Sequence, residues 1–159
     1  MARVRPEPPR TVSIADAIAG VAFVLLALPG AAVPPFLTEH GQALEGRVVI
    51  DATNDIGGGG LSHPEAYGSA PAARFVRAFN SVGFEVLADP SFGDDTADLF
   101  WCGPDDAGVD ALVEAVGLRP VRVGDIDAIE VVDGVGRLWL TLVFRQGHPR
   151  RLGFRTLGD

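Results

Sequence analysis

The sequence predicts an α/β fold with a mostly parallel sheet. Five short apolar runs alternate with segments of helical character, the rhythm of strand–helix–strand units. The first run, Ala22–Leu28, is short, continuous and apolar, as a parallel strand covered on both faces requires. With 47% of its 159 residues apolar, the chain can bury a core as a single domain, and neither a repeat nor a linker divides it.

Met1–Arg10 is rich in proline and charge and reads as an irregular lead-in. Thr11–Ser13 is read as a short edge strand. Ser13 is also the expected N-cap of a short helix running to Ala19. Ala22–Leu28 follows as a strand, closed by Pro29-Gly30. Val33–Leu44 is helical, its prolines suiting a first turn. Arg47–Thr53 is the second strand and is expected to flank the first. Asn54–Gly60 is a glycine-rich loop. Pro64–Ala73 is read as a helix weakened by Gly68 and Pro71. Arg74–Phe79 is the third strand, ending at Asn80. Val82–Asp95 is read as loop and short helix. Asp98–Gly103 is the fourth strand. Asp105–Val116 is an amphipathic helix with Val109, Leu112, Val113 and Val116 on one face. Pro120–Val123 is the fifth strand, and Ile126–Phe144 is a helix with weak points at Gly134 and Gly136. Ligands of parallel sheets bind outside the carboxyl ends of the strands. Three such ends carry polar or turn-forming residues: Leu28-Pro29-Gly30, Asp51–Asn54 and Phe79-Asn80-Ser81. If their strands are neighbours, they form one rim.

Composition excludes several classes. A net charge of −8 argues against a nucleic-acid partner, which needs a basic surface. All the basic residues are Arg, and with the richness in Ala, Gly, Val and Asp this points to a GC-rich bacterial genome. The one cysteine, Cys102, rules out an internal disulfide. Ala17–Leu37 lacks charge and follows Arg3, Arg5 and Arg10, the outline of an export signal or anchor. Pro29, Pro34 and Pro35 break that run short of the roughly 20 residues a spanning helix needs. The chain is therefore read as cytoplasmic, without a membrane partner.

The residues then resemble a known family. Ala17–Pro29 is similar to the stretch A-x-A-G-A-D-V-V-L-L-A-V-P of the F420-dependent NADP reductases. Gly46–Asn54 resembles their G-K-V-V-I-D-A-T-N strand, and Arg77–Asn80 the end of V-K-A-F-N. Leu99–Asp106 resembles M-F-V-A-G-D-D, and Leu152–Leu157 resembles I-A-F-K-L-L. The match runs in order from Ser13 to Leu157. It departs at Ala22, where the family often has Asp.

This resemblance implies a Rossmann-like, doubly wound sheet that lacks its first βαβ unit. Family members open with a strand, a G-x-G-x-x-G turn and a helix, whose N-terminus holds the pyrophosphate. The sequence contains no such turn. The resemblance implies NADP as cofactor, with coenzyme F420 as a further one. It places Leu28, Pro29, Thr53, Asn54, Phe79 and Asn80 beside the nicotinamide and its ribose. Two explanations of the missing unit stay open: a start recorded downstream of the true one, or a truncated gene. A non-catalytic remnant, or an interaction subunit built on the old scaffold, is the alternative function. Without the family's first strand, Ala22–Leu28 would present an open edge, so a homo-oligomer or a partner strand is expected there.

Plainer readings compete at single residues. Turn chemistry alone accounts for Asn54 and Asn80. Asp51 is read as structural, holding the loop after its strand. His40, His63 and His148 lack metal-ligand spacing and are read as surface residues. Cys102 is read as a buried inert thiol. Asp94-Asp95 is read as loop, and Asp105-Asp106 as a helix start favoured by the dipole. Arg145, Arg150, Arg151 and Arg155 are read as a solvated surface. A candidate acid, base or nucleophile is lacking, which fits both hydride transfer and a non-catalytic module.

Overall fold

A computed structural model describes residues 13–57 and 60–158. Strands β1 (Phe23–Leu26), β2 (Val48–Asp51) and β3 (Arg74–Arg77) form one parallel sheet in the order β1-β2-β3. Strands β6 (Asp98–Trp101) and β7 (Arg119–Arg122) pair in parallel, and a bridge between Arg77 and Cys102 joins β3 to the end of β6. A short antiparallel hairpin, β4 (Ser91–Phe92) and β5 (Asp95–Thr96), precedes β6. The expected neighbours Ala22–Leu28 and Arg47–Thr53 are thus paired, with Phe23 opposite Val48 and Leu26 opposite Asp51.

Register assigns the faces. Val24, Val49 and Phe75 share one face of the sheet, and two residues on, so do Leu26, Asp51 and Arg77. That face packs on α1 (Ile14–Ile18), α2 (Val33–His40) and the start of α5 (Ile129–Phe144), through Ile18, Val33, Leu37, Ile129 and Val132. The opposite face, with Val48, Ile50 and Val76, packs on α3 (Phe84–Ala88) and α4 (Ala107–Ala115) through Val86, Val109 and Val113. Helices on both faces of a parallel sheet confirm the expected α/β class.

Several local expectations hold and several are corrected. Ser13 caps α1 by accepting from the Asp16 N–H, at 3.1 Å. The rest of the expected Thr11–Ser13 strand lies outside the described residues. Asp106 caps α4 by accepting from the Gly108 N–H. Val109 and Val113 of its predicted face are buried, with Leu112 and Val116 at the margin. Pro64–Ser69 is a 3₁₀ segment rather than an α-helix, and it stops at Ala70, which Pro71 bars from the α region. Val33–Leu44 divides into α2 and a 3₁₀ turn at Gly41–Leu44. Ile126–Ala128 is 3₁₀, and α5 runs unbroken through Gly134 and Gly136. The expected burial of β1 on both faces is wrong: Leu25 is 55% exposed, and only Leu26 is fully buried. Among the described residues, β1 pairs with β2 alone.

Candidate functional site

The carboxyl ends of β1, β2 and β3 lie side by side, so the three loops that leave them meet in one rim. Gly30 sits so close to the second loop that a Cβ there would lie 2.3 Å from Asp55 Cβ. The Asn54 amide donates to the Asn80 carbonyl across 2.8 Å, tying the second loop to the third. All six residues expected at the site therefore belong to one locus. Pro29 is exposed, and Leu28, Asn54 and Phe79 are half-buried, whereas Thr53 and Asn80 are buried. Phe79 holds a left-handed backbone with φ of 64°, the one non-glycine residue among those described to do so. Such a conformation costs on the order of 1–3 kcal/mol, so its surroundings must enforce it.

A buried polar network lies beneath the rim. Arg77, at the end of β3, is completely buried and lies between two buried carboxylates, Asp51 and Asp133. Its Nε donates to Asp133 Oδ1 at 2.8 Å. Its Nη1 donates to the Thr53 carbonyl at 2.6 Å and to Asp51 Oδ1 at 3.2 Å. Its Nη2 reaches Asn54 Oδ1 at 3.3 Å. The remaining carboxylate lone pairs are filled by neutral donors. Asp51 accepts from the Thr53 N–H and hydroxyl and from the Tyr67 hydroxyl. Asp133 accepts from the Ser62 hydroxyl and the Asn80 amide. One guanidinium cannot neutralise two carboxylates, so these donors supply the rest of the stabilisation that buried charge demands. Burial, then the adjacent Asp51, hold the Tyr67 phenol far above its ordinary range. It serves as a permanent donor.

Sequence periodicity points to the rim and not to this network. Of its charged members Asp51 alone is anticipated, as a structural residue, and the structure bears that out. Arg77 carries a signal in hindsight: it ends a strand between Phe75-Val76 and Ala78, where a charged side chain must be paired or exposed. Asp133, Tyr67 and Ser62 carry none.

Other expected sites resolve plainly. His63 is only 22% exposed and is no free surface residue: it bridges Asp55 and Glu65, each at 3.0 Å. The Glu65 hydrogen bond leads in raising its pKa, with burial opposing and Asp55 adding to the rise. It braces the Asp55 loop against the segment that follows. Cys102 is buried, and burial pushes its thiol up to about 11, the behaviour of an inert thiol. Arg150 and Arg151 are paired, with Glu85 and Asp89, and Arg155 donates to the Thr96 carbonyl. No group of acidic, His or Cys side chains among the described residues could hold a metal ion.

With this geometry in view, three solved structures show what the chain is similar to. A provisionally assigned F420-dependent NADP reductase from Arthrobacter sp. FB24 superposes with a TM-score of 0.77 at 23% identity, over 92% of this chain and 74% of that one. The fold is Rossmann-like. A hypothetical protein from Sinorhizobium meliloti is 31% identical, with a TM-score of 0.59, over 71% of this chain and 60% of that one. A reductive aminase from Aspergillus terreus, solved with NADPH and ethyl levulinate, gives a TM-score of 0.51 at 19% identity, over 84% and 44% of the two chains. No family model and no curated protein matches the sequence. The Rossmann-like fold gives the rim its meaning, because this architecture binds ligands at the carboxyl ends of its strands.

Toward the surface the rim presents apolar side chains, while its polar groups are tied inward. Leu28 and Pro29 supply that apolar surface, and Phe79, half-buried, packs on the core of the sheet's opposite face. Asn80 Oδ1 is buried without a hydrogen-bond partner among the described residues, and it lies closed off from the surface of the rim. The Thr53 hydroxyl and both ends of the Asn54 amide are turned inward, to Asp51, Arg77 and Asn80. No described helix among these strands carries a glycine-rich phosphate cradle at its start.

Proposed function

We propose that the chain supplies the nicotinamide end of an NADP-dependent oxidoreductase site, with a deazaflavin or similar molecule as hydride acceptor. The observation that carries this is the convergence of Leu28-Pro29, Asn54 and Phe79-Asn80 on one rim of a Rossmann-like sheet. Once bound, the nicotinamide brings the hydride chemistry. The chain's own task is to orient the ring against the acceptor and keep water away, which needs fixed apolar walls and few titrating groups. The inert Cys102 and the permanently protonated Tyr67 agree with that task.

Titration of NADPH fluorescence by the purified chain tests this. A dinucleotide draws much of its affinity from a glycine-rich turn, and the sequence holds no G-x-G-x-x-G. Losing about 4 kcal/mol of contacts weakens binding roughly a thousandfold, so saturable binding near the millimolar range is expected. Micromolar binding would show that the pyrophosphate is held by other means. Absence of saturable binding refutes the cofactor reading. It would favour an interaction subunit built on the same scaffold, a reading consistent with the inward-turned Thr53 and Asn54 side chains.

A further inference from the structure

We infer that Arg77 is the positioning residue of the rim: without reaching the surface, its guanidinium sets the places of Asn54 and Asn80. This rests on the proposed nicotinamide reading and extends it to a residue beneath the site. The planar fork is what the arrangement uses. One edge meets Asp133, which in turn accepts from the Asn80 amide. The other end reaches the Thr53 carbonyl and Asn54 Oδ1, and the free side of the Asn54 amide donates to the Asn80 carbonyl. Guanidinium, Asn54, Asn80 and Asp133 thus close a ring of hydrogen bonds. Within it Phe79 is held at φ of 64° between two fixed residues, Ala78, fully buried, and Asn80. An ammonium group would match the charge of Arg77 but not its fork, since it is a single point of charge on a flexible stem.

That difference separates positioning from simple charge compensation. Arg77→Lys keeps a cation between Asp51 and Asp133. If compensation is its whole role, the variant behaves as the unaltered chain does. If the fork positions the rim, Arg77→Lys stays folded, but the side-chain amide NMR signals of Asn54 and Asn80 shift or broaden. NADPH binding, read by fluorescence, then weakens by about tenfold, the loss of about 1.4 kcal/mol of contacts. Asp98→Asn serves as control: it lies in a separate hydrogen-bond cluster with Arg119 and Thr156, so it lowers the melting temperature without moving either readout. Should Arg77→Lys not fold, Asn54→Ala breaks the same ring at its rim and leaves the buried charges paired. It is expected to shift the Asn80 amide signals and weaken NADPH binding alike.

Unchanged Asn54 and Asn80 signals in Arg77→Lys, or unchanged NADPH affinity in Asn54→Ala, overturn the inference. A lack of NADPH binding by the unaltered chain is a different failure, that of the cofactor reading, and the amide signals still decide whether Arg77 holds the two loops.

Discussion

Replacing Gly30 by Ala tests the construction of the rim at its tightest point. The added Cβ would lie 2.3 Å from Asp55 Cβ, 2.6 Å from its Cα and 2.8 Å from its N. Two of those three atoms are backbone, so no side-chain rotation relieves the overlap. Carbon atoms rest about 3.5–4 Å apart, so the loops after β1 and β2 must part by more than about 1 Å. Asp55 resists this, because His63 holds its carboxylate at 3.0 Å. Overpacking of this kind costs about 1–3 kcal/mol. For a domain of this size that lowers the melting temperature by roughly 3–10 °C. Gly134→Ala is the matched control. It lies inside α5, nothing stands within 4 Å of its would-be Cβ, and removing a glycine from a helix interior gains about 0.5–1 kcal/mol. Thermal unfolding followed by circular dichroism should move down for the first variant and up for the second. A Gly30→Ala chain that melts with the unaltered protein would refute the close packing of the two loops, and with it the rim.

Two further outcomes are expected. Burial alone would raise the pKa of Asp98, but hydrogen bonds from Arg119 and from Thr156 outweigh it and hold the carboxyl below its ordinary range. The folded value is depressed, so its stabilisation is present above the ordinary carboxyl pKa of about 3.9 and is lost as pH falls through the lower folded value. Asp98→Asn should cost about 1–3 kcal/mol at neutral pH, the worth of charged hydrogen bonds, and its stability difference from the unaltered chain should shrink in acid. An unchanged difference at pH 2 and pH 7 in urea unfolding would contradict this. The second outcome concerns β1: Phe23–Leu26 bears no charge, proline or bulge, its outer edge is unpaired among the described residues, and Leu25 is 55% exposed beside it. Such an edge templates strand pairing, so a second copy is expected to pair there and light scattering should give the mass of two chains. A stable monomer at the highest soluble concentration would count against it.

What the sequence reveals here, and what it hides, divides by the range of the interaction. The three parallel strands and the shared rim at their ends are legible because apolar runs and turn residues act over a few positions. So are the buried face of α4 and the local role of Asp51, which accepts from Thr53 two residues on. The exposure of Leu25 is not legible, since an apolar run looks the same whether or not a neighbour covers it. Nor is the pairing of Arg77 with Asp133, which lie 56 residues apart. The reading of Gly136 shows how such blindness misleads. Propensity marks it as a weak point of a helix, yet a Cβ there would meet the Asn80 amide nitrogen at 2.9 Å and Leu61 at 3.2 Å. Asp133 and Gly136 stand one turn apart on the same face of α5, and both face Asn80. One supplies the carboxylate that Asn80 donates to, and the other supplies the room that lets the helix come near enough to do it. The residue that lowers helix propensity is thus a condition for the contact that fixes the third loop of the rim.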